Sequence, residues 1–142
     1  MTRMRRMLPV LAPLFVLWAT SALADDEMKC NPEGTQQEMN ICAWDDFQKA
    51  DDELNAVYKK AVAYAKSQDE NYADQPDLKG AVAALKKAQR AWIDYRDGHC
   101  EGVGFSARGG SMEPMLVAGC QEELTKKRIA DLKALMEDGE AK

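Results

Sequence analysis

The sequence predicts an all-α fold, a disulfide-stapled antiparallel three-helix bundle built from a helical hairpin plus a third helix. Apolar residues recur at helical spacing in three segments of the chain. Polar or glycine-rich stretches separate these segments, and short connections between three helices favour an up-down-up arrangement. The chain has four cysteines, and an even number in an exported domain indicates two disulfides.

The N-terminus has the pattern of a secretory signal peptide. Three arginines near the start precede an apolar stretch, and residues 21–24 (SALA) end in a small-x-small pattern. We therefore expect a signal peptide over residues 1–24 and a single domain over residues 25–142, either periplasmic or secreted. Asp25, and not a cysteine, follows the expected cleavage site, so we expect no membrane anchor on the mature protein.

The balance of charge narrows the class of partner. The full chain has a net charge of −5, and removing residues 1–24 takes away three arginines and no acids, which leaves −8. An acidic chain lacks the basic surface that nucleic acids require, so we expect no nucleic-acid partner. The same charge favours association with a cationic partner.

A capping box predicts where the first helix begins. Thr35 is followed three residues later by Glu38, and such a pair satisfies the first free amides of a helix. An apolar stripe then runs from Met39 and predicts a helix that ends at about Lys66. Residues 67–75 (SQDENYADQ) are polar and predict the turn into the second helix.

The second helix is expected to start at Pro76, because proline suits a first helical position and Asp77 complements the positive end of a helix. Its apolar stripe passes through Trp92 and ends near Gly98. Residues 101–110 hold four glycines, so we expect a loop there and not a stable helix.

A third helix is predicted from Ser111, which is a favourable N-cap, with Glu113 and Pro114 in its first turn. It is expected to end at about Glu137. The three helices should bury one apolar core, whose candidate residues are Met39, Phe47, Leu54, Tyr58, Leu85, Trp92, Leu124 and Leu132.

The four cysteines allow three pairings. We prefer Cys30–Cys42 with Cys100–Cys120, because the second of these disulfides would close the glycine-rich loop at its base. The pairing of Cys30 with Cys100 and Cys42 with Cys120 stays open, since all four lie near one end of the predicted bundle. The chain has no CxxC or CxxCH motif and one histidine, so we expect no metal site and no cofactor.

The carboxylates give little support for an enzyme. Asp94 and Asp97 share a helix face and would suit an acid–base pair, but Arg90 precedes Asp94 by four residues, where a surface ion pair is the simpler interpretation. Ser106 and Ser111 have no second histidine for a serine-type site. We therefore predict no catalytic residue and a function that is not enzymatic.

Residues 88–100 (AQRAWIDYRDGHC) form the densest run of special side chains. Trp92 and Tyr95 belong to the apolar stripe, so we place both in the core. Arg96 is then expected to pair across the bundle with Asp51 on the first helix, with its stem along Trp92. The alternative for Arg96 is a binding hot spot, since Trp, Tyr and Arg dominate such sites.

The glycine-rich loop is the best candidate for a binding element. A disulfide at its base would brace it, and preorganisation lowers the entropy cost of binding. The alternative is a flexible connector whose glycines serve only turns. The candidate contact residues are Phe105, Arg108, Gly109, Gly110 and Ser111.

Five motifs follow one another along the chain, namely residues 38–43 (EMNICA), Asp51 with Asn55 and Tyr58, residues 88–100, residues 109–111 followed by Pro114, and Cys120 with Leu124, Thr125 and Arg128. Together they resemble the lysozyme inhibitor LprI-like domain family. The resemblance covers nearly all of the mature chain and implies a small exported helical domain without a catalytic residue. Among the residues of these motifs, we assign a structural role to Asp51, Asn55, Tyr58, Trp92, Arg96, Asp97 and Arg128.

The leading hypothesis is an exported binding protein that inhibits a cationic lysozyme-type muramidase. The resemblance implies this activity, and the acidic charge and the braced loop agree with it. One alternative is an envelope stress or interaction module whose partner is not a lysozyme. Another is an uncharacterised hydrolase that depends on Asp94 or Asp97.

Overall fold

The computed structural model describes residues 28–140, which contain three α-helices and no strand. Helix α1 spans Gln36–Glu70, α2 spans Ala81–Gly104 and α3 spans Glu113–Glu140. Over these residues the all-α prediction is confirmed, while the predicted signal peptide lies outside the described part of the chain. None of the described helices combines the length and the apolar character needed to cross a bilayer.

Helix α1 begins at the predicted capping box. Thr35 Oγ1 accepts a hydrogen bond from the Glu38 backbone N–H at 3.3 Å, and Glu38 Oε2 accepts one from the Thr35 N–H at 2.7 Å. The Thr35 hydroxyl also donates to Glu38 Oε2 at 2.8 Å, and the hydrogen bonds that this carboxylate accepts from the Thr35 backbone and then from its hydroxyl hold the pKa of Glu38 below its usual value. The helix runs past the predicted end near Lys66 to Glu70, because residues 67–70 contain no glycine or proline to stop it.

The start of α2 differs from the prediction. The helix begins at Ala81, and Pro76–Leu78 form a separate 3-10 turn. Asp69, near the end of α1, accepts hydrogen bonds from the backbone N–H groups of Gly80, Ala81 and Val82 at 2.7, 2.8 and 3.2 Å. Gly80 has a φ of 150°, a backbone conformation that residues other than glycine rarely adopt. A carboxylate of the preceding helix therefore caps α2, and the proline does not start it.

The end of α2 also differs from the prediction. The helix continues to Gly104, so the expectation of a loop over residues 101–110 is wrong for the first four of them. A Cβ atom on Gly104 would lie 2.6 Å from Val117 Cγ2, so this glycine lets α2 approach α3 closely. Close packing against α3 therefore outweighs the low helix propensity of glycine here.

The disulfides join Cys30 to Cys42 and Cys100 to Cys120, with Cα–Cα distances of 4.6 and 5.5 Å. This is the pairing preferred from the sequence, and the other pairing does not occur. The first disulfide ties the segment before α1 to α1 itself, and the second ties the last turn of α2 to α3.

Contacts between side chains fix which parts of the helices meet. Asp69 near the end of α1 binds the start of α2, as described above, and Arg96 in the middle of α2 contacts Asp51 on α1. At the other end of α1, Gln36 Nε2 lies 3.6 Å from Met115 Sδ near the start of α3. The largest of the three helix–helix interfaces is that between α1 and α3.

The apolar core lies between the three helices and consists of Leu54, Val57, Ala61, Ala65, Leu85, Ile129 and Leu132. Four of the predicted core residues are buried, namely Phe47, Leu54, Leu85 and Leu132. Four more are half-buried, namely Met39, Tyr58, Trp92 and Leu124.

The prediction that Tyr95 lies in the core is wrong, because 55% of this residue is exposed. The buried face of α2 passes instead through Gln89, Arg96 and Cys100. Two polar side chains, Gln89 and Arg96, therefore lie on the buried face, and only the inward position of Arg96 was expected from its predicted pairing with Asp51.

Candidate binding surface

Arg96 is the centre of a polar contact between the three helices. Its Nη1 donates to Asp51 Oδ1 on α1 at 2.8 Å and to Thr125 Oγ1 on α3 at 3.4 Å. Its Nε donates to Asp97 Oδ1 at 2.8 Å. The guanidinium also lies 5.1 Å from the ring centroids of both Phe47 and Trp92. Such planar stacking, together with charge-assisted hydrogen bonds, suits arginine and not lysine.

Neighbouring side chains complete this contact. Asn55 Nδ2 donates to Asp51 Oδ2 at 3.1 Å, and Gln121 Nε2 donates to Asp97 Oδ1 at 3.1 Å. Burial acts to lower the pKa of Arg96, but the hydrogen bonds with Asp97 and Asp51 outweigh it and raise that pKa above its usual value. The side chain of Arg96 is 9% exposed, so it acts inside the fold and is not available to a partner.

A second polar contact joins α2 to α3, since Arg128 Nε donates to Gln89 Oε1 at 3.0 Å. Gln89, Thr125 and Phe47 were not among the residues to which the sequence assigned these roles. One signal was present in the sequence: Gln89 and Arg96 lie seven residues apart on one helix face, and Cys100 continues that face. A cysteine that forms a disulfide to another helix indicates an inward face.

The connection between α2 and α3 is held at several points, and we call residues 105–112 the braced turn. Glu113 Oε1 accepts a hydrogen bond from Arg108 Nη1, and Glu113 Oε2 accepts one from the Gly109 N–H, both at 2.7 Å. The Arg108 guanidinium stacks 4.5 Å from the ring centroid of Phe105. The Ser111 carbonyl accepts a hydrogen bond from Asn40 Nδ2 of α1 at 2.9 Å.

The sequence-predicted binding residues are thus brought together in one short turn. Phe105 lies in a 3-10 turn over Phe105–Ala107, and Gly109 has a φ of 75°, which favours glycine. Ser111 was predicted to cap α3, but it contributes its carbonyl to Asn40, and the helix begins at Glu113. The hydrogen bond from Gly109, followed by the contacts with Arg108, lowers the pKa of Glu113, so this carboxylate stays charged at neutral pH.

Exposed apolar side chains lie on the braced turn and on the helices next to it. Phe105 is 57% exposed and Met112 is 44% exposed. On α1, Trp44 is 53% exposed and lines a shallow groove with Pro114 and Val117 at the start of α3. Large exposed aromatic and methionine side chains on a rigid frame are typical of protein-binding surfaces.

Residues 28–132 match the protein family described as Lysozyme inhibitor LprI. The chain belongs to the LprI family. It is 50% identical over 138 residues to an uncharacterized protein of Rhizobium meliloti (strain 1021), a match that covers 96% of this chain and 99% of that protein. It is 32% identical over 84 residues to the uncharacterized protein YecT of Escherichia coli (strain K12), which covers 57% of this chain and 50% of YecT. No solved structure matches the chain significantly.

Of the two carboxylates of this LprI-family chain considered for catalysis, one is already hydrogen-bonded within the fold and the other is exposed. Asp97 accepts hydrogen bonds from Arg96 and Gln121, and its neighbour Asp94 is exposed. The expected ion pair between Arg90 and Asp94 is not formed among the described residues. Within residues 28–140, no three His, Cys, Asp or Glu side chains converge as metal ligands do.

Proposed function

We propose that this LprI-family protein is an exported binding protein that inhibits a cationic lysozyme-type muramidase and has no catalytic activity of its own. The proposal includes a signal peptide over residues 1–24, a single mature domain over residues 25–142, and a periplasmic or secreted location. Support comes from the description of the family, from the two disulfides, which belong in an oxidising compartment, and from the acidic net charge.

The single observation that carries the proposal is the braced turn. The disulfide from Cys100 to Cys120 holds α2 to α3 just before the turn, Glu113 binds Arg108 and the Gly109 amide, and Asn40 binds the far side. A turn held in this way loses little conformational entropy when it binds, which is the condition for an inserted or docked inhibitory element. We further infer, from the helix contacts, an antiparallel bundle. In it α2 runs opposite to α1, and α3 lies beside α1 in the same direction as α1.

Charge gives the proposal a direct physical test. The mature chain has a net charge of −8 once the three arginines of residues 1–24 are removed, so it attracts a cationic enzyme. Attraction between exposed charges is screened over about 8 Å at physiological salt. Association should therefore be fastest at low salt, while contacts made by Phe105 and Met112 should persist when salt is added.

The experiment is an inhibition assay with the oxidised mature protein and a c-type lysozyme acting on bacterial cell walls. We expect micromolar protein to slow lysis at low salt and, more weakly, at physiological salt. A Phe105→Ala/Met112→Ala variant should inhibit less while keeping the wild-type melting temperature, because both side chains are largely exposed. Exposed Leu135, far along α3, supplies the control substitution Leu135→Ala.

Unchanged lysis at both salt concentrations would overturn the proposal. The envelope interaction module would then be the better assignment, and affinity capture from an envelope fraction would identify its partner. Hydrolytic activity that is lost in Asp94→Asn without loss of folding would instead favour an enzyme.

A further inference from the structure

The outer face of the second half of α2 carries exposed apolar side chains. The solvent-facing side of a helix is normally polar. Tyr95 is exposed and its ring stacks on His99, with centroids 5.4 Å apart. Val103, one turn beyond His99, is also exposed. His99 and Val103, but not Tyr95, line a groove of about 410 Å³ between α2 and α3, whose α3 wall includes Leu116, Gly119 and Leu124.

Two further residues of this face are glycines inside a helix. A Cβ atom added to Gly98 or Gly102 would meet no other atom within 4 Å, and the same holds for Gly119 in the groove. Glycine is among the least favourable residues in a helix interior, so each lowers helix stability. Gly104 is different, since Val117 leaves no room for a side chain there. Internal packing thus accounts for Gly104 and not for the other glycines.

From Asp94 to Gly102 both charged side chains on this outward face are acidic, while Arg90 lies one turn before Asp94 and Lys127 of the groove pairs with Glu123 at 2.6 Å. Asp94 and Glu101 are exposed and lie on the same side of α2 as Gly98, at spacings of four and three residues. Within the described residues, neither carboxylate is in an ion pair. Arg96 is the one cationic residue between Ala91 and Ala107, and it points inward to Asp51.

We infer that this face, made of Asp94, Tyr95, Gly98, Glu101 and Gly102 beside the α2–α3 groove, docks a lysine- or arginine-bearing segment of a cationic protein. The inference rests on the proposed function and names the surface that the muramidase contacts in addition to the braced turn. The two glycines let the backbone of that segment approach α2 closely. Its cation is held by Asp94 and Glu101 and lies over the ring of Tyr95.

The occupant is chosen by complementarity of charge. A second copy of this acidic chain would place Asp94 and Glu101 near like charges, which opposes self-association. A basic segment finds two unpaired carboxylates, an exposed ring and an apolar groove within three turns of one helix.

The test uses the oxidised mature protein with a c-type lysozyme as the probe, and measures Kd at low salt. Asp94→Asn/Glu101→Gln should weaken binding roughly tenfold, since exposed charge pairs contribute modestly and two are removed. The matched control is Asp74→Asn/Asp77→Asn, which removes two exposed acids from the α1–α2 connection and should change Kd less than about twofold.

Gly98→Ala/Gly102→Ala gives the sharper result. It should raise the melting temperature, because alanine favours helix, and yet weaken binding by at least about fivefold, because the added methyl groups meet the docked segment. A substitution that only disturbed the fold would lower both. Titration of isotope-labelled protein with lysozyme should shift the amide resonances of residues 94–102.

Three results would overturn the inferred docking face, the proposed function or the inferred occupant. If wild-type protein binds lysozyme and all these variants bind equally well, the docking face is wrong while the proposed function stands. If wild-type protein binds no lysozyme, both are overturned. If sedimentation shows a dimer that Gly98→Ala/Gly102→Ala dissociates, a second copy is the occupant and the basic segment is not.

Discussion

The two connections of this molecule use the same device with different support. At the α1–α2 connection, Asp69 binds the three amides of residues 80–82. At the α2–α3 connection, Glu113 binds the Gly109 amide and Arg108, but a disulfide and the Asn40 contact hold the same region. Apart from backbone hydrogen bonds within residues 67–79, one connection is therefore held by a single carboxylate, whereas we expect the other to keep its shape if its carboxylate is lost. The binding surface proposed above lies at the better-supported connection.

The largest effect is expected away from both connections, at the contact of Arg96 with Asp51 and Thr125 between the three helices. Arg96→Ala should lower the free energy of unfolding by roughly 3 kcal/mol, the lower end for breaking a buried ion pair, because Asp51 and Asp97 are partly exposed. Urea denaturation measures this change. Wild-type stability combined with lost lysozyme binding would show that Arg96 is a contact residue and not a structural one.

The next effect separates the two connections. Cys100→Ser/Cys120→Ser opens a closed loop of 20 residues and should cost about 3 kcal/mol, with faster amide exchange concentrated in residues 105–112. Cys30→Ser/Cys42→Ser opens a shorter closed loop of 12 residues outside this turn and is the matched control. Equal exchange at the braced turn in both variants would mean that Glu113 and Asn40 suffice to hold it.

Acid should loosen the α1–α2 connection selectively. Hydrogen bonds from Gly80, then from Ala81 and Val82, hold the pKa of Asp69 below the usual 3.8, so its stabilising contribution is complete above that pH and is lost as the pH falls through the lowered value. Asp69→Asn should therefore be less stable than wild type at pH 7, and the difference should shrink as the pH falls below 3.8 and Asp69 becomes protonated. Melting temperatures of both proteins across this range measure it, and a difference that persists in acid would contradict it.

The smallest effect is expected at Glu113, because other contacts support the braced turn. Glu113→Gln should leave the melting temperature close to wild type and mainly speed amide exchange at Gly109, whose N–H it binds. Glu123→Gln, which removes an ion pair with Lys127 on the same helix, is the control. A large fall in stability for the first variant would mean that the two connections are equally dependent on one carboxylate.

Local patterns in the sequence predicted what depends on near neighbours. The capping box at Thr35 and the helical character of three segments follow from residue spacing, whereas the pairing of Arg96 with Asp51 was predicted from their opposite charges on neighbouring helices. The start of α2 was not predicted, because its cap is Asp69, eleven residues before Gly80 and in another helix. No local motif marks such a cap.

Glycine and charge produced the other differences. Four glycines predicted a loop over residues 101–110, but Gly104 packs against Val117 and keeps α2 helical to that point. Tyr95 was placed in the core because apolar stripes usually face inward. The actual inward face carries Arg96; its pairing with Asp51 was predicted, but its hydrogen bond to Thr125 of α3 was not, because a pattern within α2 does not contain that partner.

The position of Arg96 also determines how the three helices align lengthwise. A single guanidinium reaches Asp51 on α1 and Thr125 on α3, so these residues must lie at one level along the bundle. A shift of α2 by one turn, about 5.4 Å, would break both contacts at once, whereas leucines and alanines would find new apolar neighbours after such a shift. Hydrogen bonding therefore acts together with the Cys100–Cys120 disulfide to select one axial register out of several that apolar packing alone would accept.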